Sequence, residues 1–120
     1  MQVSLITCTK NSGEVMEDCC TSIFSQTHKN IEHIIIDNNS IDNTLSIAKG
    51  SKIMCQKIFQ QKSIGIYGAL NEGLKFAGGD IIGVLHSDDQ LYNSKVIETI
   101  EKIFSTQNID ILFANLLYVS

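Results

Sequence analysis

The chain has 120 residues, 43% of them hydrophobic and 18% charged, which suits one folded domain with a real core and argues against wholesale disorder. Nine basic against thirteen acidic side chains give a net charge of −4. With no stripe of clustered Lys and Arg to meet phosphates, this argues against a nucleic-acid binder, and a phosphorylated small molecule would need a cation to screen its charge.

In chain order, Val3 to Cys8 is a short apolar run that reads as a buried strand. Asn11 can cap the helix that follows, with Glu14 three residues on as in a capping box, and Met16, Cys20 and Phe24 give that helix one apolar face beside Cys19 and Ile23. Ile34-Ile35-Ile36 is continuous and β-branched, a second buried strand ending at Asp37. Asp42 can cap a short helix carrying Leu45 and Ala48, with Gly50 as its stop. Ile53 to Phe59 is a weaker third strand, and Tyr67 to Ala77 a helix with Leu70, Leu74 and Ala77 on one face and Gly78-Gly79 as its break. Gly73 is unfavourable inside that helix by ~1 kcal/mol. Ile81 to Leu85 is the fourth strand, Val96, Ile97, Ile100, Ile103 and Phe104 mark a fourth helix, and Ile109 to Val119 supplies a last strand.

This alternation predicts an α/β fold with a mainly parallel, Rossmann-like open sheet and helices on both faces. No apolar run approaches the ~20 residues of a membrane span. Met1-Gln2-Val3-Ser4 lacks the basic flank and apolar stretch of a signal peptide, so the cytoplasm is expected and the Asn38-Asn39-Ser40 sequon carries little meaning. Cys8, Cys19, Cys20 and Cys55 form no C-x-x-C pair and read as small apolar residues on core faces. His28 and His33 have no partner spacing and read as surface or structural.

In open α/β sheets ligands bind outside the carboxyl ends of the strands. Polar residues gather at three such ends: Thr9-Lys10-Asn11, Asp37-Asn38-Asn39-Ser40 and His86-Ser87-Asp88-Asp89. The last is the strongest chemical signal, because Mg²⁺ and Mn²⁺ bind through one or two carboxylates completed by substrate phosphates. Taken alone, Asp88 or Asp89 serves equally as a helix cap or turn residue. Asp37 can accept from a nucleobase imide or ribose hydroxyl, or shape an Asx turn leading to Asp42. Thr9 and Asn11 can contact a nucleotide, and Asn11 is as good a helix cap. The glycines form neither a P-loop nor a G-x-G-x-x-G motif; Gly65 and Gly68 permit a loop before the helix.

Three blocks carry a resemblance. S-L-I-T-C-T-K-N with Ser22, Ile23 and Gln26, E-H-I-I-I-D-N-N-S-I-D-N-T at 32–44, and G-I-Y-G-A-L-N-E-G-L-K-F-A-G-G-D-I-I-G-V-L-H-S-D-D at 65–89 resemble the family 2 inverting glycosyltransferases of GT-A fold. The resemblance covers nearly the whole chain in order and spacing. It implies a nucleoside-diphosphate sugar as donor, transfer to an acceptor hydroxyl of a glycan or lipid-linked molecule with inversion, and a place in polysaccharide or cell-envelope glycan synthesis. It implies that Asp37 and Thr9 line the nucleoside pocket, with Asn11, Asn38, Ala69 and Asn71 near it. Asp88 and Asp89 become the aspartates of a D-x-D-type motif, serving the ribose and a divalent Mn or Mg ion, with His86 a further ligand.

The sequence departs from the family pattern in one direction. His86 stands where many relatives have Asp, Asn38 where some have a second Asp, Gly68 where an Asp is frequent, and Asn115 where another Asp is familiar; Gln60, Gln61, Lys62 and Ser63 occupy a loop that is often acidic. Imidazole suits Mn²⁺, so His86 is compatible with a metal held less strongly. The general base of such enzymes lies further along, so residues 1–120 are expected to be the donor-binding domain, shortened at its C-terminus, inactive or slow alone, with no catalytic base assigned. Two other readings stand beside it. One is a non-catalytic nucleotide-sugar-binding module. The other is a phosphorelay receiver, which would need an acidic pair where the chain has Cys8-Thr9-Lys10 and a Lys where it has Leu117-Tyr118-Val119-Ser120. An exposed sheet edge or apolar surface would allow oligomers.

Overall fold

Short strands, most of them apolar, alternate with helices, and the computed structural model, which describes residues 1–53, 55–61, 65–110 and 112, assembles them into a parallel sheet. The elements are β1 (Val3–Thr9), α1 (Met16–Phe24), β2 (Ile31–Asp37), α2 (Thr44–Lys49), β3 (Gln56–Gln60), α3 (Gly65–Phe76), β4 (Ile81–Val84) and α4 (Val96–Thr106). The four strands lie in the order β3-β2-β1-β4, with Val3 opposite both Ile31 and Ile81 and Thr9 opposite Asp37. This is the first part of the Rossmann order; the receiver-type order places β1 between β2 and β3, so the phosphorelay reading fails on topology.

Successive residues of a strand point to opposite faces. One face of the sheet presents Val3, Leu5, Ile31, Ile35 and Ile81 to Met16, Cys19, Cys20 and Ile23 of α1, Ala48 of α2 and Ile97 of α4. The other presents Ile6, Ile34 and Ile36 to Ala69 of α3, with Leu70, Phe76 and Phe59 packed around them and the Phe59 and Phe76 rings stacked 3.9 Å apart. Helices thus pack on both faces, as expected, although Ile82 and Val84 of β4 stay exposed on the α3 side.

Gly73 has a packing reason. A Cβ there would lie 2.6 Å from Cγ2 of Ile6, so its absence lets α3 approach β1. Ala69, Gly73 and Ala77 repeat at four-residue spacing on the face turned to the sheet. Gly79 is tighter still: its Cβ would meet Ser4 Oγ at 2.5 Å and Ser4 N at 2.8 Å, where the chain crosses beneath β1.

Several expectations are revised. The first helix begins at Met16, not Asn11; its N-cap residue is Val15, which makes no side-chain cap bond. Asn11 instead has φ 48°, a left-handed conformation that Asn tolerates better than most residues. The N-cap of α2 is Asn43, not Asp42, and Gly50 ends that helix with φ −80°, without the left-handed turn. Gly65, with φ 72°, opens α3, and Gly68 lies inside it. Cys55 is exposed, unlike buried Cys19 and Cys20 and half-buried Cys8. The strand expected over 109–119 falls almost wholly outside the described residues, as does Asn115; Ile109 and Asp110, which are described, lie outside any strand.

β2 is longer than its apolar run because two polar residues are buried in it. Glu32 accepts from Ser4 Oγ at 2.7 Å and Gly78 N at 2.9 Å and pairs with Lys57 at 2.5 Å. Burial opposes its ionisation, but Lys57, the Gly78 N–H and the Ser4 hydroxyl outweigh it and hold the carboxyl down at about 2. His33 is fully buried, with Nε2 2.8 Å from Thr7 Oγ1, and burial lowers its pKa to about 4.

Candidate functional site

A parallel sheet gathers all its strand ends on one rim, and the order of this sheet reverses direction between β1 and β4. The crevice outside that reversal is where open α/β folds bind ligands. The loops after β1 and β4 flank it directly, and the loop after β2 lies one strand away. The three polar clusters read from the sequence therefore do share one rim.

The loop after β2 is folded around Asp37. Its carboxylate accepts from Ser40 N at 2.9 Å and Ser40 Oγ at 2.5 Å and is fully buried. Asp37 thus offers no surface to a ligand in this arrangement, whereas Asn38, next along, is half-buried at the rim and its N–H donates to Thr9 O at 2.9 Å. The turn needs a second left-handed residue, Asn39, with φ 51°. Thr9 lies opposite Asp37 and is 5% exposed, and its hydroxyl has no hydrogen-bond partner among the described residues. Gln61, whose N–H donates to Asp37 O at 2.8 Å, likewise carries a buried side-chain oxygen without a partner among the described residues. Such orphaned polar atoms are rare inside proteins and mark places where a ligand or water completes the bonding. Gln61 was visible in the sequence only as part of a loop lacking acidic residues.

The loops after β1 and β2 are stapled together. Asn11 N donates to Ser40 Oγ at 2.8 Å, and Asn11 Oδ1 accepts from Ile41 N at 2.9 Å. Asp42 accepts from Gly13 N at 3.0 Å, from Thr44 N at 3.0 Å and from the Thr44 hydroxyl. Thr44 Oγ1 in turn accepts from Ser12 N at 2.7 Å. Asn11 and Asp42, read as helix caps, are thus loop-to-loop fasteners, because both caps would have to act one or more residues nearer the helices than they stand.

After β4, the chain turns at once: Asp89 N donates to His86 O at 3.0 Å. Ser87 is buried, Asp88 and His86 are exposed, and Asp89 is half-buried. The Cys19 thiol donates to His86 O at 3.7 Å and Leu91 N to Ser22 Oγ at 3.1 Å, so α1 holds both ends of this loop. Burial and the neighbouring Cys20 push the Cys19 thiol up to about 12, so it serves as a neutral donor. Ser12 Oγ lies 2.9 Å from Ser87 Oγ, across the reversal point itself.

Among the described residues, no three His, Cys, Asp or Glu side chains converge as a ready metal cluster. His86, Asp88 and Asp89 therefore do not form a three-ligand centre by themselves. Their donor set still fits a hard divalent ion, which takes one or two carboxylates and fills the rest of its shell with water and substrate phosphate. Ala69 is a core residue against Ile6, Ile34 and Ile36, where a larger side chain would push α3 off the sheet, and Asn71 is exposed on α3. No hydrogen bond among the described residues joins either to the rim loops. A groove of about 620 Å³ between α1 and the end of α2, lined by Cys20, Phe24, Ile47 and Lys52, contains none of the rim residues. No described helix is long and apolar enough to cross a membrane.

Residues 4–118 match the model of glycosyl transferase family 2. The UDP-Glc:alpha-D-GlcNAc-diphosphoundecaprenol beta-1,3-glucosyltransferase WfaP of Escherichia coli is 39% identical over 110 residues, covering 85% of this chain and 43% of that protein. The cholesterol galactosyltransferase of Borreliella burgdorferi is 33% identical, covering 92% of this chain and 31% of that protein. S. aureus TarS 1-349, solved in complex with UDP-GlcNAc, superposes with a TM-score of 0.81 at 27% identity, covering 88% of this chain and 31% of that one. The mannosyltransferase PcManGT of Pyrobaculum calidifontis, in complex with GDP-Man and Mn²⁺, has a TM-score of 0.77 at 22% identity over 84% of this chain and 31% of that one, a likeness of fold. The chain thus spans less than half the length of these proteins.

Proposed function

The chain belongs to glycosyl transferase family 2, and from that premise we propose that its rim binds a nucleoside-diphosphate sugar whose sugar passes to an acceptor hydroxyl with inversion at the anomeric carbon. The observation that supports this is that three polar loops share one rim, two of them flanking the β1–β4 reversal, with the Asp88-Asp89 turn after β4 and the Thr9 hydroxyl, unpartnered among the described residues, at the end of β1.

In this reading Thr9, Asn38 and Gln61 line the nucleoside end, where their polar atoms meet base and ribose. Asp37 acts mainly by holding the turn that presents Asn38, and Asn11 by fixing the neighbouring loop. Asp88 and Asp89 face the diphosphate, with Asp88 also within reach of the ribose as the resemblance implies and His86 beside them. A divalent cation held by Asp88 and Asp89 would supply neutralisation of the charge that builds on the departing diphosphate. The incoming hydroxyl must lose its proton to a general base, and the residues named here all serve the donor; Ala69 and Asn71 support it only through α3.

A uridine donor is favoured, since both the 39%-identical WfaP and the TarS complex carry uridine-diphosphate sugars in their names. The name of WfaP also carries a diphosphoundecaprenol-linked acceptor, which supports a role in cell-envelope glycan synthesis. The test is calorimetry of UDP and GDP with Mn²⁺ and with chelator. UDP is expected to bind more tightly with Mn²⁺; equal affinity in both conditions would remove the metal-assisted donor site.

A further inference from the structure

We infer that the Ser12–Ser87 contact is a positioning clasp that sets the Asp88-Asp89 turn relative to the nucleoside-side loops. The inference rests on the donor-site reading above and gives Ser12 and Ser87 a role that the resemblance does not.

Ser12 is joined to both halves of the rim at once. Its N–H donates to Thr44 Oγ1 at 2.7 Å, and Thr44 is fully buried and bonded to Asp42, which also holds Gly13 N. That side belongs to the loop after β2 and, through Asn11 and Ser40, to Asp37. The Ser12 hydroxyl reaches the other way. It lies 3.2 Å from Lys10 O and 2.9 Å from Ser87 Oγ. Each hydroxyl has one proton. If Ser12 gives its own to Lys10 O, Ser87 donates to Ser12, and the chain Ser87 → Ser12 → Lys10 is fully used.

Ser87 immediately precedes the carboxylate pair and is largely buried, so its side chain is the buried anchor of the turn while the carboxylates face outward. The bonds from Cys19 and Ser22 fix the ends of the loop against α1. They do not tie it to the loop after β1. The hydroxyl pair does, at the point where β1 and β4 diverge and where a diphosphate would have to pass between the nucleoside side and the metal side. A sub-ångström shift there would weaken an interaction that depends on both sides together, while leaving each side intact.

The measured quantity is the metal enhancement, the ratio of the UDP Kd in chelator to the UDP Kd in Mn²⁺, in the full-length protein. Ser12→Ala keeps the backbone bond to Thr44 and removes the clasp together with the hydroxyl bond to Lys10 O, whereas Ser87→Ala removes the clasp and leaves that bond in place. Ser12→Ala is expected to reduce the enhancement about threefold to tenfold, the range of one lost hydrogen bond. Ser87→Ala should do the same, and the double variant should lose no more than Ser12→Ala alone, because the contact between the two hydroxyls is the one that sets the ratio. Ser12→Thr, which keeps the hydroxyl, should restore the ratio. A merely structural contact would weaken UDP binding equally in Mn²⁺ and chelator, leaving the ratio unchanged; that result, or additive losses in the double variant, would overturn the clasp. If Ser12→Ala fails to fold, Ser87→Ala and Ser12→Thr still decide the matter. A wild-type protein without metal enhancement would overturn the donor-site reading itself and the clasp with it.

Discussion

Ser40 closes over Asp37, giving its N–H at 2.9 Å to one carboxylate oxygen and its hydroxyl at 2.5 Å to the other, so that the carboxylate is buried inside its own loop. Hydrogen bonds to charged groups are the stronger ones, and removing a partner leaves a buried charge short of a donor. Ser40→Ala is therefore expected to cost about 1–3 kcal/mol, read as a lower urea midpoint at unchanged slope. A variant as stable as the parent would mean that water replaces the hydroxyl freely and that the loop is not set by this pair.

Asp42 and Asp89 should separate by what their loss affects. Asp42 accepts from Gly13 and Thr44 and fastens two loops, so Asp42→Ala should lower the urea midpoint. Asp89→Ala, at a half-buried turn position, should leave stability within about 0.5 kcal/mol, as for a surface substitution, and abolish most of the Mn²⁺ enhancement of UDP binding. Equal loss of metal-linked binding in the two variants, at matched folding, would count against the assignment of Asp89 to the metal side.

The buried imidazole of His33 gives stability a defined dependence on pH. Unfolded, it takes up its proton near 6.5; folded, burial delays this to about 4. Between those values the unfolded chain binds more protons, so stability falls as pH drops from 6.5 towards 4, by about 3 kcal/mol in all, and is unaffected by this group above 6.5. Glu32 acts lower down: its depressed pKa of about 2 contributes stability that is lost as pH falls from 4.5 towards 2. Urea titrations across this range should show a steep slope that His33→Gln flattens between pH 6.5 and 4 only. An unchanged slope in that window would show that another group carries it.

The sequence determined a good deal by itself. The apolar runs at Val3–Cys8, Ile34–Ile36 and Ile81–Leu85 read as strands; the first two are buried on both faces and the third on the face of Ile81, and their spacing left room for crossover helices and a parallel sheet. That alone put Thr9, Asp37 and Asp88-Asp89 on one rim. What it could not determine was how those polar residues divide their hydrogen bonds. Asn11 and Asp42 looked like caps because capping is a local rule, and the partners that claimed them, Ser40, Ile41 and Gly13, are about thirty residues away in sequence. His33 read only as surface or structural and Glu32 had no assigned role; Lys57, Ser4 and Thr7, which meet them across the sheet, are what fix both. Asp37 turned out to face inward to Ser40, and the pairing of Ser12 with Ser87 became possible only once β1 and β4 lay side by side. Burial of apolar surface is read from composition and period; the direction of a hydrogen bond depends on which neighbour arrives, and only the folded chain decides that.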